Sequence, residues 1–157
     1  MQKEEKPISK TALENYLLKH IPISSAMGVE VDMATSAKII LKAPFSNNIN
    51  HKKTVFGGSL HALATLACWS LLHVNLMDAY GENVQIVIAN SEVDYLVPVA
   101  SDFKAECMIP VTLEWERFIK MLEKKGKGRI RLNAKIFQGN QLCVDYTGTF
   151  VALRTNH

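Results

Sequence analysis

The chain has 157 residues, of which 48% are hydrophobic and 21% charged, and its formal net charge is +3. This length and composition fit one globular domain with a substantial core, and no repeat, linker or low-complexity stretch is present. So mild a positive charge does not by itself indicate nucleic-acid binding.

The cysteines and the ends of the chain indicate the compartment. Cys68, Cys107 and Cys143 lie in apolar patterns without CxxC spacing, which is typical of buried thiols in a reducing compartment. Residues 1–7 have no apolar run, so we expect no signal peptide. The segment 60–76 is too short and too interrupted for a membrane span, which needs roughly 20 apolar residues. We therefore expect a cytoplasmic protein.

In chain order, the first elements are a tail, a short helix and a hairpin. Residues 1–8 have the composition of a flexible, solvated tail. Thr11, Ala12, Leu13 and Glu14 match a capping box, which predicts a helix that ends before Pro22. The segments 28–33 and 37–43 predict a β-hairpin, because basic and apolar residues alternate in the second of them.

A long apolar helix follows a polar loop over 44–54. It runs from Leu60 to Leu76 and should end near Gly81. A helix that is apolar nearly all round must be buried on nearly all sides. Its only polar members are His61, Thr65, Ser70, His73 and Asn75.

The rest of the chain predicts strands. Period-2 alternation or β-branched content marks 84–97, 102–109, 129–136 and about 142–153. So many strands, each with one polar face, indicate a single antiparallel sheet. One helix cannot cover both sides of such a sheet, so the simplest arrangement wraps the sheet around the helix.

The segment 113–127 predicts an amphipathic helix that interrupts the strands. Its apolar residues recur at helical spacing, and they are Trp115, Phe118, Ile119 and Leu122. The pattern leaves open whether this helix covers the core or the mouth of a site.

The glycine pair before the long helix is the first candidate site. Gly57 and Gly58 would leave backbone N–H groups bare where the helix dipole is positive. Such a place can bind an anion or polarise a carbonyl oxygen. The structural alternative is a turn into the helix that needs positive φ.

An ordered set of segments surrounds these glycines: Asn48-Ile49-Asn50, Thr54-Val55-Phe56-Gly57-Gly58-Ser59-Leu60, Leu63-Ala64-Thr65-Leu66, Trp69 and Tyr95-Leu96-Val97-Pro98. The order of these motifs resembles that of the hotdog thioesterase-like domain found as the C-terminal half of YiiD-type proteins. The resemblance covers roughly 11–153 and implies an α+β hotdog fold, an antiparallel β-sheet wrapped around one long central helix, as a single domain over 1–157. The acetyltransferase half would need a longer chain, so we expect no N-acetyl transfer.

The resemblance also implies chemistry and partners. Hotdog proteins are homodimers, sometimes assembled into tetramers, with sites at the dimer interface. Their substrate is a thioester of coenzyme A or acyl carrier protein, so coenzyme A or phosphopantetheine enters as part of the substrate, with no separate cofactor or metal. A helix-start glycine amide polarises the thioester carbonyl, and a carboxylate directs water. We expect neither nucleic-acid nor membrane partners.

Several residues take roles by this resemblance. Asn50 matches an asparagine that orients water or substrate, although a turn-forming role is equally open. Asn48, Phe56, Ser59 and His61 would line the substrate site, with Asn48 also fitting a structural role. Phe56 stands where many relatives carry histidine, and Thr65 stands where they carry the helix carboxylate. A threonine hydroxyl can hold water but cannot be its base, so Thr65 would only assist.

The general base is therefore unassigned by sequence. His61 lies four residues before Thr65 on the same helix stripe, and imidazole is suited to acid–base chemistry near neutral pH. His51 in the loop is a weaker candidate. The strand residues Asn90, Glu92 and Asp94 offer polar groups near the expected dimer seam.

A basic stretch could meet the phosphates of coenzyme A or an acidic carrier protein, with a solvated strand face as the structural alternative. Within it, only Glu123 opposes Lys120, Lys124, Lys125, Lys127, Arg129, Arg131 and Lys135.

Three functions remain open at this level. The first is an acyl-CoA or acyl-carrier-protein thioesterase. The second is an acyl-binding module without hydrolysis, which Phe56 and Thr65 would suit. The third is a hotdog dehydratase or isomerase, which would need a histidine and a carboxylate facing the acyl group.

Overall fold

A computed structural model describes residues 5–155. It contains five helices and six strands over that range. The helices are α1 (Lys10–His20), α2 (Pro22–Met27), α3 (Phe45–Asn48), α4 (Gly57–Tyr80) and α5 (Thr112–Lys125). The strands are β1 (Glu30–Ala34), β2 (Lys38–Ala43), β3 (Val84–Tyr95), β4 (Phe103–Met108), β5 (Lys127–Gln138) and β6 (Gln141–Arg154).

The six strands form one antiparallel sheet around α4, which confirms the predicted hotdog architecture. The strand order is β1-β2-β4-β5-β6-β3, so β1 and β3 are the two edges. Helix α4 packs against β2, β3, β4, β5 and β6, and its Leu63, Ala67 and Leu71 are fully buried. All three cysteines are buried and free, as predicted.

The central helix is longer than its apolar pattern indicated, because it begins at Gly57 and ends at the predicted Gly81 cap. Its 24 residues are long and apolar enough to cross a membrane by length and composition, so the expectation that this segment is too short was wrong. However, 67% of its most apolar window is buried inside the fold, as in the core helix of a soluble domain.

The capping box predicted at Thr11–Glu14 is wrong. The cap of α1 is Ser9, whose hydroxyl accepts from the amide of Ala12. Glu14 instead accepts a hydrogen bond from the amide of Val31 at the edge of β1 (2.8 Å). The Glu14 side chain, which the pattern assigned to the start of the helix, therefore occupies a backbone donor on the edge strand β1.

The predicted tail is also shorter than 1–8. Residues 6–8 lie along the β1–β2 turn, where Ile8 donates to the carbonyl of Ala34 and Ser36 donates to that of Lys6. The prediction for residues 1–4 lies outside the described residues.

Helix α5 covers part of the sheet as well as the core. Strand β4 pairs with β5 only over Ala134–Phe137, so the first half of β5 lacks a strand on that side. Trp115, Phe118 and Leu122 of α5 are buried there. This outcome favours the core-covering interpretation of the amphipathic segment.

Candidate functional site

The start of α4 presents free backbone donors. Within residues 5–155 the amides of Gly57 and Gly58 make no hydrogen bond, whereas those of Ser59 and Leu60 donate to the Phe56 carbonyl. No side chain caps this end. Neither glycine has positive φ, so the turn-based alternative for them fails. The two N–H groups and the helix dipole can polarise a carbonyl oxygen.

Two aromatic rings flank these donors. The Phe56 side chain is 59% exposed, and a Cβ at Gly58 would lie only 2.4 Å from its Cε2 atom. The Tyr95 hydroxyl donates to the Gly57 carbonyl (3.0 Å). Phe56 therefore lies across the helix start, and its part in substrate binding stays a prediction.

Asn48 holds the loop rather than facing a ligand. Its side-chain Nδ2 atom donates to the carbonyls of Met27 (2.9 Å) and Pro44 (2.8 Å). Its backbone carbonyl accepts from the amide of Phe56. The side chain is only 3% exposed, and its Oδ1 atom has no partner among the described residues. Asn48 thus fixes the loop that positions Phe56 and the glycines.

Asn50 is also occupied by its own turn. Its Oδ1 atom accepts from the amides of Lys52 (2.8 Å) and Thr54 (3.2 Å). Its Nδ2 atom donates to the Thr54 hydroxyl (2.9 Å). These contacts match the turn-forming alternative, in which the asparagine closes a loop through its side chain.

A polar cluster lies one to two helical turns inside the helix start. The His61 Nε2 atom is 3.0 Å from the Ser91 hydroxyl, and the Thr65 hydroxyl is 2.9 Å from that of Tyr146. Thr65 also donates its hydroxyl proton to the backbone carbonyl of His61 (2.9 Å). Because a hydroxyl has only one proton, Tyr146 must be the donor in the bond between Tyr146 and Thr65. We call His61, Ser91, Thr65 and Tyr146 the hydroxyl–imidazole cluster.

The electrostatics of the cluster fix the state of its tyrosine. Burial raises the pKa of Tyr146 to about 12, against the smaller opposite effect of hydrogen bonds with Thr65 and Ser91. At neutral pH this phenol therefore keeps its proton and serves as a hydrogen-bond donor and acceptor. It can orient its neighbours but cannot take a proton from water.

Sequence reasoning identified His61 and Thr65 but missed Ser91, Tyr95 and Tyr146. Tyr146 occupies the apolar face of β6 and looked like core. Ser91 is hidden by a bulge between Ile88 and Asn90, which shifts the register of β3 against β6. Tyrosine on a strand face that otherwise has no polar side chain was the one available signal, since a buried phenol needs a partner.

The same bulge removes the strand carboxylates from the site. Asn90, Glu92 and Asp94 pair with Thr149, Thr147 and Asp145, which lie on the face opposite Tyr146. Glu92 and Asp94 are exposed. Within one protomer these three side chains point away from α4, so they do not join this cluster, and their part at a dimer seam stays a prediction.

The basic stretch lies largely away from the glycines. Its lysines near Gly126 are at the other end of α4, where Glu123 contacts the Tyr80 hydroxyl and Arg154 lies over the Tyr80 ring. A helix of 24 residues is about 36 Å long. Glu123 is not the only acidic neighbour, since Lys135 pairs with Asp145 (3.3 Å).

The described residues provide no metal site. Across 5–155, no group of three or more histidine, cysteine, aspartate or glutamate side chains could hold an ion. The chemistry available at the site is therefore that of backbone amides, hydroxyls and one imidazole.

Comparison with known proteins bears on the family and the fold of the chain. The family described as "Putative thioesterase (yiiD_Cterm)" matches residues 10–154. A protein of unknown function from Chlorobaculum tepidum TLS is 30% identical over 92% of this chain and 94% of its own, with a TM-score of 0.85. A thioesterase-like structure from Shewanella oneidensis has 24% identity, 92% and 96% coverage and a TM-score of 0.77. A thioesterase from Haemophilus influenzae shares the fold, with 15% identity, 97% and 95% coverage and a TM-score of 0.70.

Proposed function

Because the chain belongs to the thioesterase-like family of YiiD C-terminal domains, we propose that it hydrolyses acyl thioesters of coenzyme A or acyl carrier protein. The observation that carries this proposal is the pair of free N–H groups at Gly57 and Gly58, one helical turn before His61. These donors suit a thioester oxygen that gains negative charge in the transition state.

His61 is the base in this mechanism. It lies three residues beyond Gly58, which is about 4.5 Å along the helix axis. Water attacks the carbonyl carbon as His61 takes its proton, and the carbonyl oxygen becomes an oxyanion on the glycine amides. The C–S bond then breaks, and the thiolate recovers the proton from His61, leaving a carboxylic acid and a free thiol.

The other members of the cluster position this histidine. Ser91 holds the His61 Nε2 atom, and Tyr146 and Thr65 fix the hydroxyls around it. Asn48 and Asn50 act through the loop that precedes the glycines, because their side chains bond to that loop. Phe56 and Ser59 border the entrance to the helix start.

We further propose a homodimer joined through β3. The two edges of the sheet differ: β1 is short and is bonded by Glu14, whereas β3 has 12 residues and exposes Val87 (45%) and Ile88 (44%). A long uncovered edge with apolar side chains is a template for pairing with a second chain. The hydroxyl–imidazole cluster includes Ser91 of this strand, so pairing would place the site at the interface.

The test is release of free thiol from short, medium, long and aryl acyl-CoAs. Wild type should hydrolyse at least one member. His61→Gln should lower kcat by a hundredfold or more, the usual range for a lost general base, with an unchanged melting temperature. His51→Gln, in the exposed loop, is the matched control and should behave as wild type. Equal turnover by His61→Gln and wild type would show that His61 is not the general base.

Asn50→Ala separates the two interpretations of that residue. If Asn50 only closes its turn, turnover and melting temperature should fall together. A loss of turnover at constant melting temperature would instead support the water-positioning role predicted from sequence.

A second function is an acyl-binding module without hydrolysis. Thr65 favours it, because this residue stands where the resemblance places a carboxylate in hydrolytic relatives. Its hydroxyl is hydrogen-bonded to that of Tyr146. Saturable binding of acyl-CoA in calorimetry with no thiol release from any substrate would select this function. The dehydratase or isomerase alternative is weaker, because Glu92 and Asp94 face away from His61.

A further inference from the structure

A stripe of half-buried side chains runs from the hydroxyl–imidazole cluster along α4. Every fourth residue from His61 is only half-buried, while most of the helix between them is fully buried. This stripe lies beside edge strand β3 and consists of His61, Thr65, Trp69, His73 and Met77. Residues four apart share a helix face, so the stripe forms one continuous wall.

The floor of the groove is the inner face of β3. Ile88 pairs with Phe150, which is 1% exposed, and so points to the same face as the core. Ile88 nevertheless remains 44% exposed, so α4 does not cover it. We call the channel between this floor and the helix stripe the α4–β3 groove. Its lining in this part is aliphatic.

Aromatic rings line the far end of the groove. A cavity of about 440 Å³ lies there, bordered among others by Tyr16, Trp69, His73, Met77 and Ile86. The Trp69 and His73 rings are stacked at 4.7 Å and 12°. Tyr16 from α1 packs on His73 at 4.3 Å, and His20 packs on Tyr16 at 4.2 Å. This four-ring stack joins α1 to α4 and narrows the space beyond Trp69.

Resting on the proposed thioesterase function, we propose that the α4–β3 groove binds an aliphatic acyl chain and that Trp69 with Tyr16 sets its length. The thioester carbonyl lies at Gly58, and Trp69 is 11 residues further, or about 16 Å along the helix. An extended chain advances about 1.25 Å per carbon, from a 1.52 Å bond and a 111° angle. The groove therefore accepts medium-length acyl groups, with an optimum near about twelve carbons.

The lining matches such a ligand chemically. Aliphatic and aromatic side chains gain from covering a methylene chain, at roughly fourfold in affinity per CH₂ group. His73 is the one titratable group in the stripe beyond His61, and it stays uncharged at neutral pH within the stack. Short acyl groups would leave the Ile88–Trp69 part of the groove in contact with water.

The experiment measures kcat/KM for straight acyl-CoAs from four to eighteen carbons. In wild type, kcat/KM should rise by up to roughly sixteenfold for each pair of carbons, peak near twelve and then fall. Trp69→Ala should move the peak to longer chains by at least two carbons, whereas Trp69→Phe should keep it. Ile88→Trp, which fills the groove before Trp69, should move the peak to shorter chains. An unchanged optimum in both Trp69→Ala and Ile88→Trp overturns the proposal.

A binding measurement keeps the proposal testable if no thioester is hydrolysed. Trp115→Phe leaves Trp69 as the only tryptophan, so its fluorescence reports on the far end of the groove. A non-hydrolysable dodecyl thioether of coenzyme A should alter Trp69 emission, and the butyl analogue should not. Binding without hydrolysis would reject the catalytic function and keep the groove. Hydrolysis without a chain-length response in emission would keep the function and reject the groove.

Discussion

Tyr146 shows how a single buried hydroxyl can organise this site. Its oxygen meets Thr65 from the helix, and Ser91 of the edge strand bonds it as well. Because its pKa is raised to about 12, the proton stays on the phenol throughout the physiological range. Tyr146 therefore holds the Thr65 hydroxyl in place beside His61 and cannot accept a proton from water at neutral pH.

His73 should make the stability of the protein depend on pH. Burial, and to a smaller extent the neighbouring His20 imidazole, lower the pKa of His73 to about 4, from 6.5 for a free histidine. Above pH 6.5 the side chain is neutral in both the folded and the unfolded chain. As the pH falls from 6.5 to about 4, only the unfolded chain binds the proton, so the free energy of unfolding decreases.

The measurement is chemical denaturation of wild type and His73→Phe between pH 7.5 and 4.5. Phenylalanine cannot titrate and can keep the ring stack with Trp69. Wild type should lose more stability than the variant across this window, with an upper limit of about 3 kcal/mol. His51→Gln is the control and should follow wild type. Parallel curves for wild type and His73→Phe would contradict the lowered pKa.

At the scale of elements, the sequence predicts the architecture because each element has a one-dimensional signature. Alternation in β5 gives strictly alternating burial, and the apolar run of α4 gives a buried core helix. The capping of α1 was mispredicted because Ser9 and Thr11 are both good caps and Glu14 finds its partner in β1. Contacts between distant segments decide such choices, and no local pattern contains them.

The residues of the candidate site likewise fall into those that are close in sequence and those that only strand pairing brings together. Gly57, Gly58, His61 and Thr65 follow one another on α4 and could be predicted together. Ser91 and Tyr146 join them only through strand pairing, and the bulge in β3 reverses which residues face the helix. A period-2 pattern continued through Ala89 would assign the wrong face to everything after it.

The junction of α5 with β5 should be intolerant of a side chain at Gly128. A Cβ there would lie 2.9 Å from the backbone carbonyl oxygen of Phe118, which cannot move without shifting the helix. Gly128→Ala should lower the free energy of unfolding by about 1–3 kcal/mol, as overpacking in a core does. Thermal and denaturant unfolding would measure the loss.

Gly57→Ala is the matched control for that substitution. A Cβ at Gly57 would lie 3.6 Å from the Tyr95 ring, an ordinary contact, and alanine favours a helix. Its stability should equal or exceed that of wild type. Equal stability of Gly128→Ala and Gly57→Ala would show that α5 is not packed on β5 as described.

At the scale of the whole molecule, the sheet has one protected edge and one open edge. Residues 6–8 and Glu14 cover the β1 side through hydrogen bonds to Ala34, Ser36 and Val31. No comparable cover lies over β3 among residues 5–155, although β3 is 12 residues long. Asymmetry of this kind indicates that β3 is the edge at which two chains would meet.

Val87→Lys tests this assembly. A lysine in the edge strand adds charge to the proposed seam and opposes pairing. Wild type should sediment at twice the 17.5 kDa chain mass, about 35 kDa, and Val87→Lys should shift toward 17.5 kDa. Met108→Lys is the control, because Met108 is even more exposed than Val87 (59% against 45%) but lies on β4, away from both edges.

The same variant connects assembly to catalysis. Ser91 lies four residues beyond Val87 in β3 and holds His61, so a dimer through this strand would fix the geometry of the base. If Val87→Lys is folded but monomeric, thiol release should fall together with the dimer fraction. It should recover at high protein concentration, since association follows mass action. A monomeric Val87→Lys with full turnover would show that one chain carries the complete site and that the seam serves another purpose.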